Sequence, residues 1–278
     1  KLLGDVIMED LKRKAINEII DSSIKSFADG FELRHIKEVN DPNGVINSKK
    51  NNVFIAELGE EFMFYSAFVR SFDSSFGNVL ENIGNAIAKL SYDVNGRIES
   101  YLLPQQTQHI DYLMTEYNDH VPPKKEDYEN FSWVQPRDIT SYMTSHETDN
   151  YFYSPNRKEH YIIELKAGGD LDNKKSKAEK IELLREYFLL KNKLSGTDEK
   201  VKVLFATAYN KFGEGNEWKQ SQVRQYFAEE ELLIGKEYWN FVCDDENGFE
   251  IVFEQYKKSA NYIKDAIQNI KVLYFEFE

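Results

Sequence analysis

Three side chains able to do chemistry lie in one short stretch, Asp149-Asn-Tyr-Phe-Tyr-Ser-Pro-Asn-Arg-Lys-Glu-His-Tyr-Ile-Ile-Glu164-Leu-Lys166. Asn150–Ser154 and Glu159–Ile163 read as strands flanking Pro155-Asn156-Arg157-Lys158, whose proline and asparagine suit a turn. Folding about the midpoint between Asn156 and Arg157 sets Asp149 opposite Glu164. Opposed residues of an antiparallel pair share a face, and Lys166 joins that face two residues on. Like charges directly opposed repel, so the pattern asks for a cation between them. Two carboxylates and a nearby lysine can hold Mg²⁺ and position a water beside a phosphodiester.

The acid-x-Lys triplet alone carries no weight. Asp10-Leu-Lys12, Asp172-Asn-Lys174, Asp198-Glu-Lys200 and Glu217-Trp-Lys219 repeat it in helical or loop contexts. Glu164-Leu165-Lys166 differs because it ends an apolar β-run with a matched acid across a turn. The plain alternative is a surface hairpin with an ordinary ion pair, which contributes little. Against that, Ile163 and Leu165 mark a half-buried strand, where two acids and a lysine carry a desolvation cost.

The elements that must position this hairpin follow from periodicity and punctuation. Residues 1–27 read as a helix, with Leu11, Ala15, Ile19 and Ile20 at helical spacing. Residues 28–52 contain Asp41-Pro42-Asn43-Gly44 and read as a loop or weak strand. Residues 52–69 read as a buried aromatic helix and 71–77 as a polar turn. Asn78 then reads as the cap of a helix running to about Leu90. Residues 92–120 are ambiguous, with strand-like pieces around 97–103, and 121–126 form an exposed loop. After the hairpin and Gly168-Gly169, a long helix is expected from about Asp172 to Leu194. Ser195–Lys200 should be a loop and 201–208 a buried strand. Residues 217–231 read as helix, 236–242 as a strand or buried turn, and 247–271 as mostly helix. The expected class is α/β: a mixed central sheet flanked by helices, with extra helices at both ends. One domain is expected over 1–278, comprising a helical part over 1–69, a catalytic core over 70–210 and a C-terminal part over 211–278 for DNA recognition or dimerisation.

Composition bounds the function classes. At 278 residues with 41% apolar residues, the chain can bury a sizeable core. The single Cys243 excludes a disulfide framework within the chain and fits a reducing compartment. No apolar run approaches membrane-spanning length. A net charge of −13 counts against a non-specific nucleic-acid coat. A nuclease stays open, because an acidic metal site and one local basic strip suffice. No histidine pair has zinc spacing, and Gly213-Glu-Gly215 lacks the lysine and length of a phosphate loop. His146, three residues before Asp149, reads as a structural neighbour of the site.

The hairpin layout resembles the PD-(D/E)XK nuclease superfamily: an acid, a short hairpin, then acid-x-Lys at a strand end. Thr148 stands where that pattern has proline, so Asp149 is anchored less firmly than Glu164, and Asp138 and Glu147 are alternative acids. Arg70-Ser71-Phe72-Asp73-Ser74-Ser75-Phe76-Gly77-Asn78-Val79-Leu80-Glu81 resembles the Ser-x-x-Gly-x-x-x-Glu entry to the first core helix of type II restriction endonucleases. By that resemblance Glu81 would complete the metal site, directly or through water. Leu232–Phe241 is similar to the late Gly-Lys-x-x-Trp-x-Phe segment of TdeIII-type enzymes, which would imply cleavage at GGNCC.

Together these resemblances imply a Mg²⁺-dependent type II restriction endonuclease, with Mn²⁺ as a substitute. Asp149, Glu164 and the Leu165 main-chain carbonyl would be ligands, and Lys166 would orient or deprotonate the attacking water. The products would be 5′-phosphate and 3′-hydroxyl ends. A homodimer matching a palindromic site, a cognate methyltransferase and the cytoplasm of a prokaryote are implied with it. Lys174, Lys175, Lys177 and Lys180 crowd the first turns of the long helix, where a phosphate backbone would offset their opposition to the macrodipole. Asn210, Lys211, Gln220, Gln222, Arg224 and Gln225 are of base-reading types. A repair or structure-specific nuclease on the same core, and a non-catalytic DNA- or protein-binding module, are the competing readings.

Overall fold

The computed structural model describes residues 2–275, with side chains from residue 9 onward. In chain order the helices and strands are α1 (Leu2–Glu38), α2 (Val53–Ala56), α3 (Glu60–Ala88), β1 (Asp93–Tyr101), α4 (Pro104–Asn118) and α5 (Glu126–Glu129). There follow β2 (Met143–Ser154), β3 (Glu159–Lys166), α6 (Asn173–Lys193), β4 (Lys200–Thr207), α7 (Ser221–Arg224), β5 (Leu232–Ile234), α8 (Lys236–Cys243) and α9 (Gly248–Phe275). Two compact units result: residues 1–87 with 250–278, and residues 88–249.

The first unit is helical. Ile16, Ile20, Ile24, Ala28, Phe31 and His35 form a buried stripe at three- and four-residue spacing along α1. That stripe carries the helix through residues 28–38, where the sequence pattern reads as loop or weak strand. Likewise, residues 71–77 are not a turn and Asn78 is not a cap: α3 runs unbroken through both. Phe64, Phe68, Phe72 and Phe76 stack at four-residue spacing, with neighbouring centroids 5.2, 6.5 and 5.3 Å apart. This aromatic ladder outweighs the weak helix preference of the serines and glycine between them. The helix break lies earlier than expected, at Gly59 (φ +92°), and Phe54 on α2 is 84% exposed.

The second unit holds a five-stranded sheet in the order β1-β2-β3-β4-β5. β1–β2 and β2–β3 pair antiparallel, and β3–β4 and β4–β5 pair parallel. The mixed sheet expected from the sequence is therefore present. Strands β3 and β4 are near-continuous apolar runs, as a covered parallel pair requires. Leu183, Leu184, Tyr187, Phe188 and Leu190 of α6 pack over Ile98, Ile162, Val203 and Phe205 of the sheet. The helix begins where the sequence places it: the Asp172 carboxylate accepts from the Lys175 amide at 2.8 Å. Between β3 and α6 the chain needs Gly169 (φ +67°), where a Cβ would fall 2.6 Å from Thr207 Cγ2.

Two further expectations are corrected here. Residues 217–231 are mostly loop, with only α7 and a single 3₁₀ turn at Glu229–Glu231. Side-chain hydrogen bonds from Gln220 to Asp170 and from Gln225 to the Tyr117 carbonyl fix that loop. Residues 236–243 form α8 rather than a strand, burying Tyr238, Trp239, Val242 and Cys243 on one face. An apolar run this short does not distinguish helix from strand.

Lys180 turns inward from α6 and is fully buried. Its Nζ lies 2.6 Å from Glu231 Oε1, and the Tyr128 hydroxyl donates to the same oxygen at 2.6 Å. The amine also sits about 5 Å from the ring centres of Tyr128 and Phe227. Lys180 therefore belongs to the core rather than to a DNA-facing strip. Removing one partner leaves an uncompensated buried charge. Glu231→Ala should cost about 3–5 kcal/mol in urea unfolding, whereas Lys180→Met with Glu231→Leu should recover much of that loss. A double variant no more stable than the single one would show that the pair is not the source of the cost.

Candidate active site

The hairpin forms as its sequence implies. Pairing runs Tyr151↔Ile162, Phe152↔Tyr161, Tyr153↔His160 and Ser154↔Glu159, a register whose extension sets Asp149 level with Glu164. The turn closes through the Arg157 amide donating to the Ser154 carbonyl at 3.2 Å and through Lys158 at φ +51°. The regular ladder stops at Tyr151↔Ile162, however. On the other edge of β2 the register with β1 slips between Asn95↔Tyr151 and Arg97↔Glu147. Residues 148–150 thus form a bulge opposite Gly96. Bulges re-aim side chains; here Thr148 and Asn150 are buried and Asp149 is exposed, and Thr148 reaches Glu186 of α6.

Glu164 and Lys166 share a face of β3, with Leu165 buried on the other. Lys166 Nζ lies 2.5 Å from Glu164 Oε1 and 2.9 Å from Glu179 Oε1 of α6. Glu186, two turns further along α6, accepts from Thr148 Oγ1 at 3.1 Å. His146 Nε2 lies 3.0 Å from the other Glu186 oxygen. The site is therefore built by three elements: β2 with His146, Thr148 and Asp149; β3 with Glu164 and Lys166; and α6 with Glu179 and Glu186. The sequence analysis missed both α6 acids. Their signal is visible in hindsight as Glu179, Glu182 and Glu186, acids spaced three and four apart on the helix that follows the active strand.

Electrostatics sets this cluster apart from a surface ion pair. Burial pushes Glu164 up to about 7; Lys166 opposes that push, while Glu179 and Asp149 add to it. Burial likewise pushes Glu186 up to about 8, with Thr148 opposing and Glu164 and Asp149 reinforcing. Burial favours a neutral Lys166, yet Glu164 and Glu179 together hold it above the usual lysine range. Two carboxylates thus flank the Lys166 ammonium, and Asp149 bears on both Glu164 and Glu186. Among the described residues, no three His, Cys, Asp or Glu side chains already converge as a closed metal cage. The donors are nonetheless all hard oxygens, the type a divalent cation such as Mg²⁺ takes, and the surplus negative charge is what such an ion would neutralise.

The remaining expected residues are placed as follows. Asp138 is exposed and accepts from the Thr140 amide at 2.9 Å. Glu147 is exposed and pairs across β1 with Arg97. Glu81 lies half-buried on α3, in the helical unit. Lys174 and Lys175 are exposed at the start of α6, and Lys177 is half-buried. The Asn210 side chain is engaged on both sides, donating to the Asn216 carbonyl at 2.7 Å and accepting from the Phe212 amide at 3.0 Å. Lys211 pairs with Asp170 at 2.8 Å and Arg224 with Glu229 at 3.0 Å. Gln222 is exposed.

A pH dependence follows. A carboxyl that keeps its proton to a higher pH when folded favours folding at low pH. For Glu186 that contribution is full below about pH 4.5 and is lost as pH rises through about 8. In EDTA, Glu186→Gln should therefore raise Tm at about pH 9 and change it little at about pH 4. Glutamine keeps an acceptor for Thr148. An equal Tm shift at both pH values would mean that Glu186 titrates as an ordinary carboxylate.

The family described as "Type II restriction endonuclease, HinfI" matches residues 12–260. No curated protein and no solved structure matches the chain. Among the described residues, no helix is long and apolar enough to cross a membrane. A match over nearly the whole length, including the bulged hairpin and α6, establishes that this chain belongs to the HinfI family of type II restriction endonucleases.

Proposed function

We propose that the chain cleaves double-stranded DNA at a defined sequence, with Mg²⁺ as its metal and Mn²⁺ as a substitute, leaving 5′-phosphate and 3′-hydroxyl ends. The observation that carries the reading is the Lys166 ammonium held between Glu164 and Glu179 at the end of β3. Asp149, Glu164 and the Leu165 main-chain carbonyl would hold the metal. When bound, such an ion polarises the scissile phosphate and stabilises charge on the leaving 3′ oxygen. Lys166 then orients the attacking water. It is protonated in this arrangement, so it donates to oxygen, and Glu179 keeps it aimed when Glu164 turns to the metal. Glu186 holds the β2 bulge through Thr148 and keeps a high-pH proton beside the reacting centre. Glu81 would support the metal through water by the resemblance to restriction-enzyme core helices alone, since α3 has no helix entry at residues 71–78.

A palindromic target calls for a two-fold protein, so the working unit is a homodimer. A host that carries such an enzyme needs a methyltransferase of the same specificity. Lys174, Lys175 and Lys177 at the start of α6, together with Lys211, Gln222 and Arg224 beyond β4, are the proposed DNA contacts. Asn210 can contribute only by releasing its loop hydrogen bonds. The resemblance of Leu232–Phe241 to TdeIII-type enzymes would put the target at GGNCC; in that segment Trp239 donates to the Ala208 carbonyl at 2.7 Å.

Incubating the protein with unmethylated phage DNA and Mg²⁺ should give discrete fragments that vanish with EDTA, and sequencing their ends reads the site and the cut. A smear would favour a structure-specific or repair nuclease. Intact DNA from folded protein would favour a binding module. Asp149→Ala and Glu164→Ala should reduce cleavage to background with DNA binding retained, and Lys166→Ala should slow it by about 10²–10⁴-fold. Wild-type rates in a folded variant would remove that residue from the site. Glu81→Gln should raise the Mg²⁺ concentration at half-maximal rate, and an unchanged titration would assign Glu81 to structure.

A further inference from the structure

The Arg70-Ser71-x-x-Ser74-Ser75 stretch has no place as a helix entry, because α3 runs straight through it. It lines a cavity of about 500 Å³ in the helical unit instead. Arg70, Ser71, Ser74 and Ser75 recur at helical spacing on one face of α3. Arg34 of α1 and Lys49 of the 3₁₀ turn at Asn47–Asn51 complete the wall. Among the described residues, no acidic side chain lines this cavity, although the chain as a whole carries a net charge of −13.

The cations there are poorly compensated. Arg34 donates through Nη2 to Ser71 Oγ and packs its guanidinium 5.0 Å from the Phe31 ring centre. Its Nε is buried without a hydrogen-bond partner, and the nearest carboxylate oxygen, on Glu38, is 3.9 Å away. Glu38 is itself occupied, accepting from the Val45 amide at 3.0 Å. Among the described residues, neither Lys49 nor Arg70 forms an ion pair, and the hydroxyls of Ser74 and Ser75 make no hydrogen bond. A guanidinium fixed by an aromatic ring, two uncompensated cations and free hydroxyl donors are the donor set that a phosphate group takes. The volume accommodates a phosphate with its neighbouring sugar.

We propose that this cavity is a phosphate-binding site, separate from the carboxylate cluster, and that its ligand is a backbone phosphate of DNA. The DNA assignment rests on the endonuclease reading, while the phosphate chemistry stands on the cavity alone. The site would add affinity without reading sequence, because phosphate contacts position a protein on the duplex and carry no base information.

The test uses the full chain with Lys49→Gln and Arg70→Gln together. Both side chains reach solvent, so the fold should hold, as circular dichroism and Tm will show. Binding is measured in EDTA, across a salt series, on a duplex that the wild type cleaves. The slope of log K against log salt should fall by about one to two in magnitude. Lys14→Gln with Lys25→Gln, which removes the same charge from α1 outside the cavity, should leave the slope near wild type. In parallel, inorganic phosphate is titrated into the wild type and the variant by calorimetry. A reduced slope specific to Lys49 and Arg70 supports the DNA assignment. Phosphate binding that the variant loses, with an unchanged slope, keeps the phosphate site and overturns DNA as its ligand. An unchanged slope with no phosphate binding overturns both. A wild type that cleaves no duplex counts against the endonuclease reading, and the phosphate titration then decides the cavity by itself.

Discussion

The structure around the hairpin depends on an imbalance: the carboxylates of Glu164, Glu179 and Glu186 meet one lysine between a sheet and a helix, with Asp149 exposed beside them. Bringing Glu164, Glu179, Glu186 and Asp149 together is unfavourable, since each added negative charge raises the proton affinity of the rest. The fold tolerates it because the sheet and α6 are held by other means. Phe188, Leu184 and Tyr187 pack over Ile162 and Phe205, and the buried Lys180–Glu231 pair fixes the start of the same helix. Apolar burial at roughly 25 cal/mol per Å² over such a core offsets a cluster that stabilises nothing by itself. That is the ordinary economy of a functional site, with local strain held by the surrounding packing.

The sheet's change of direction explains why the cluster sits where it does. β3 pairs antiparallel with β2 only as far as Ile162, then continues alongside β4 alone to Lys166. The β2 bulge at residues 148–150 draws Asp149 away from a regular ladder position just where Glu164 begins. Burial still alternates there, with Thr148 and Asn150 buried and Asp149 exposed. Thr148 braces Glu186, while the exposed Asp149 acts on Glu164 through its charge.

Much of this was legible in the sequence, and the limits were physical. The hairpin register followed from turn chemistry and a two-residue period, both local. The α6 boundaries followed from an aspartate cap and an apolar run long enough to show its period. Asp149, Glu164 and Lys166 could be proposed together because they lie within one hairpin. Glu179 and Glu186 were missed because they join the site only through the packing of α6 on β3, a long-range fact that no local pattern encodes. α3 was split in two because Ser71–Gly77 looks like a turn over seven residues. Only the ladder of Phe64, Phe68, Phe72 and Phe76 over a longer window shows that it is not. Residues 217–231 failed the other way: good helix formers are held in a loop by Gln220 and Gln225 reaching distant backbone.

A chain of net charge −13 that acts on a polyanion must concentrate its attraction. Bulk repulsion weakens every non-specific encounter, and the weakening is steeper at low salt. What attracts DNA must then be local, and the proposed points are the lysines at the start of α6, a metal ion at the carboxylates and the basic cavity along Arg70–Ser75. Each supplies affinity only when a phosphate sits within a Debye length of it. Away from those points the surface repels. An enzyme arranged this way loses affinity for arbitrary duplex faster than for its target, where base contacts add a salt-insensitive share. The acidic composition, which counts against a DNA coat, is for a sequence-selective cleaver a contribution to selectivity.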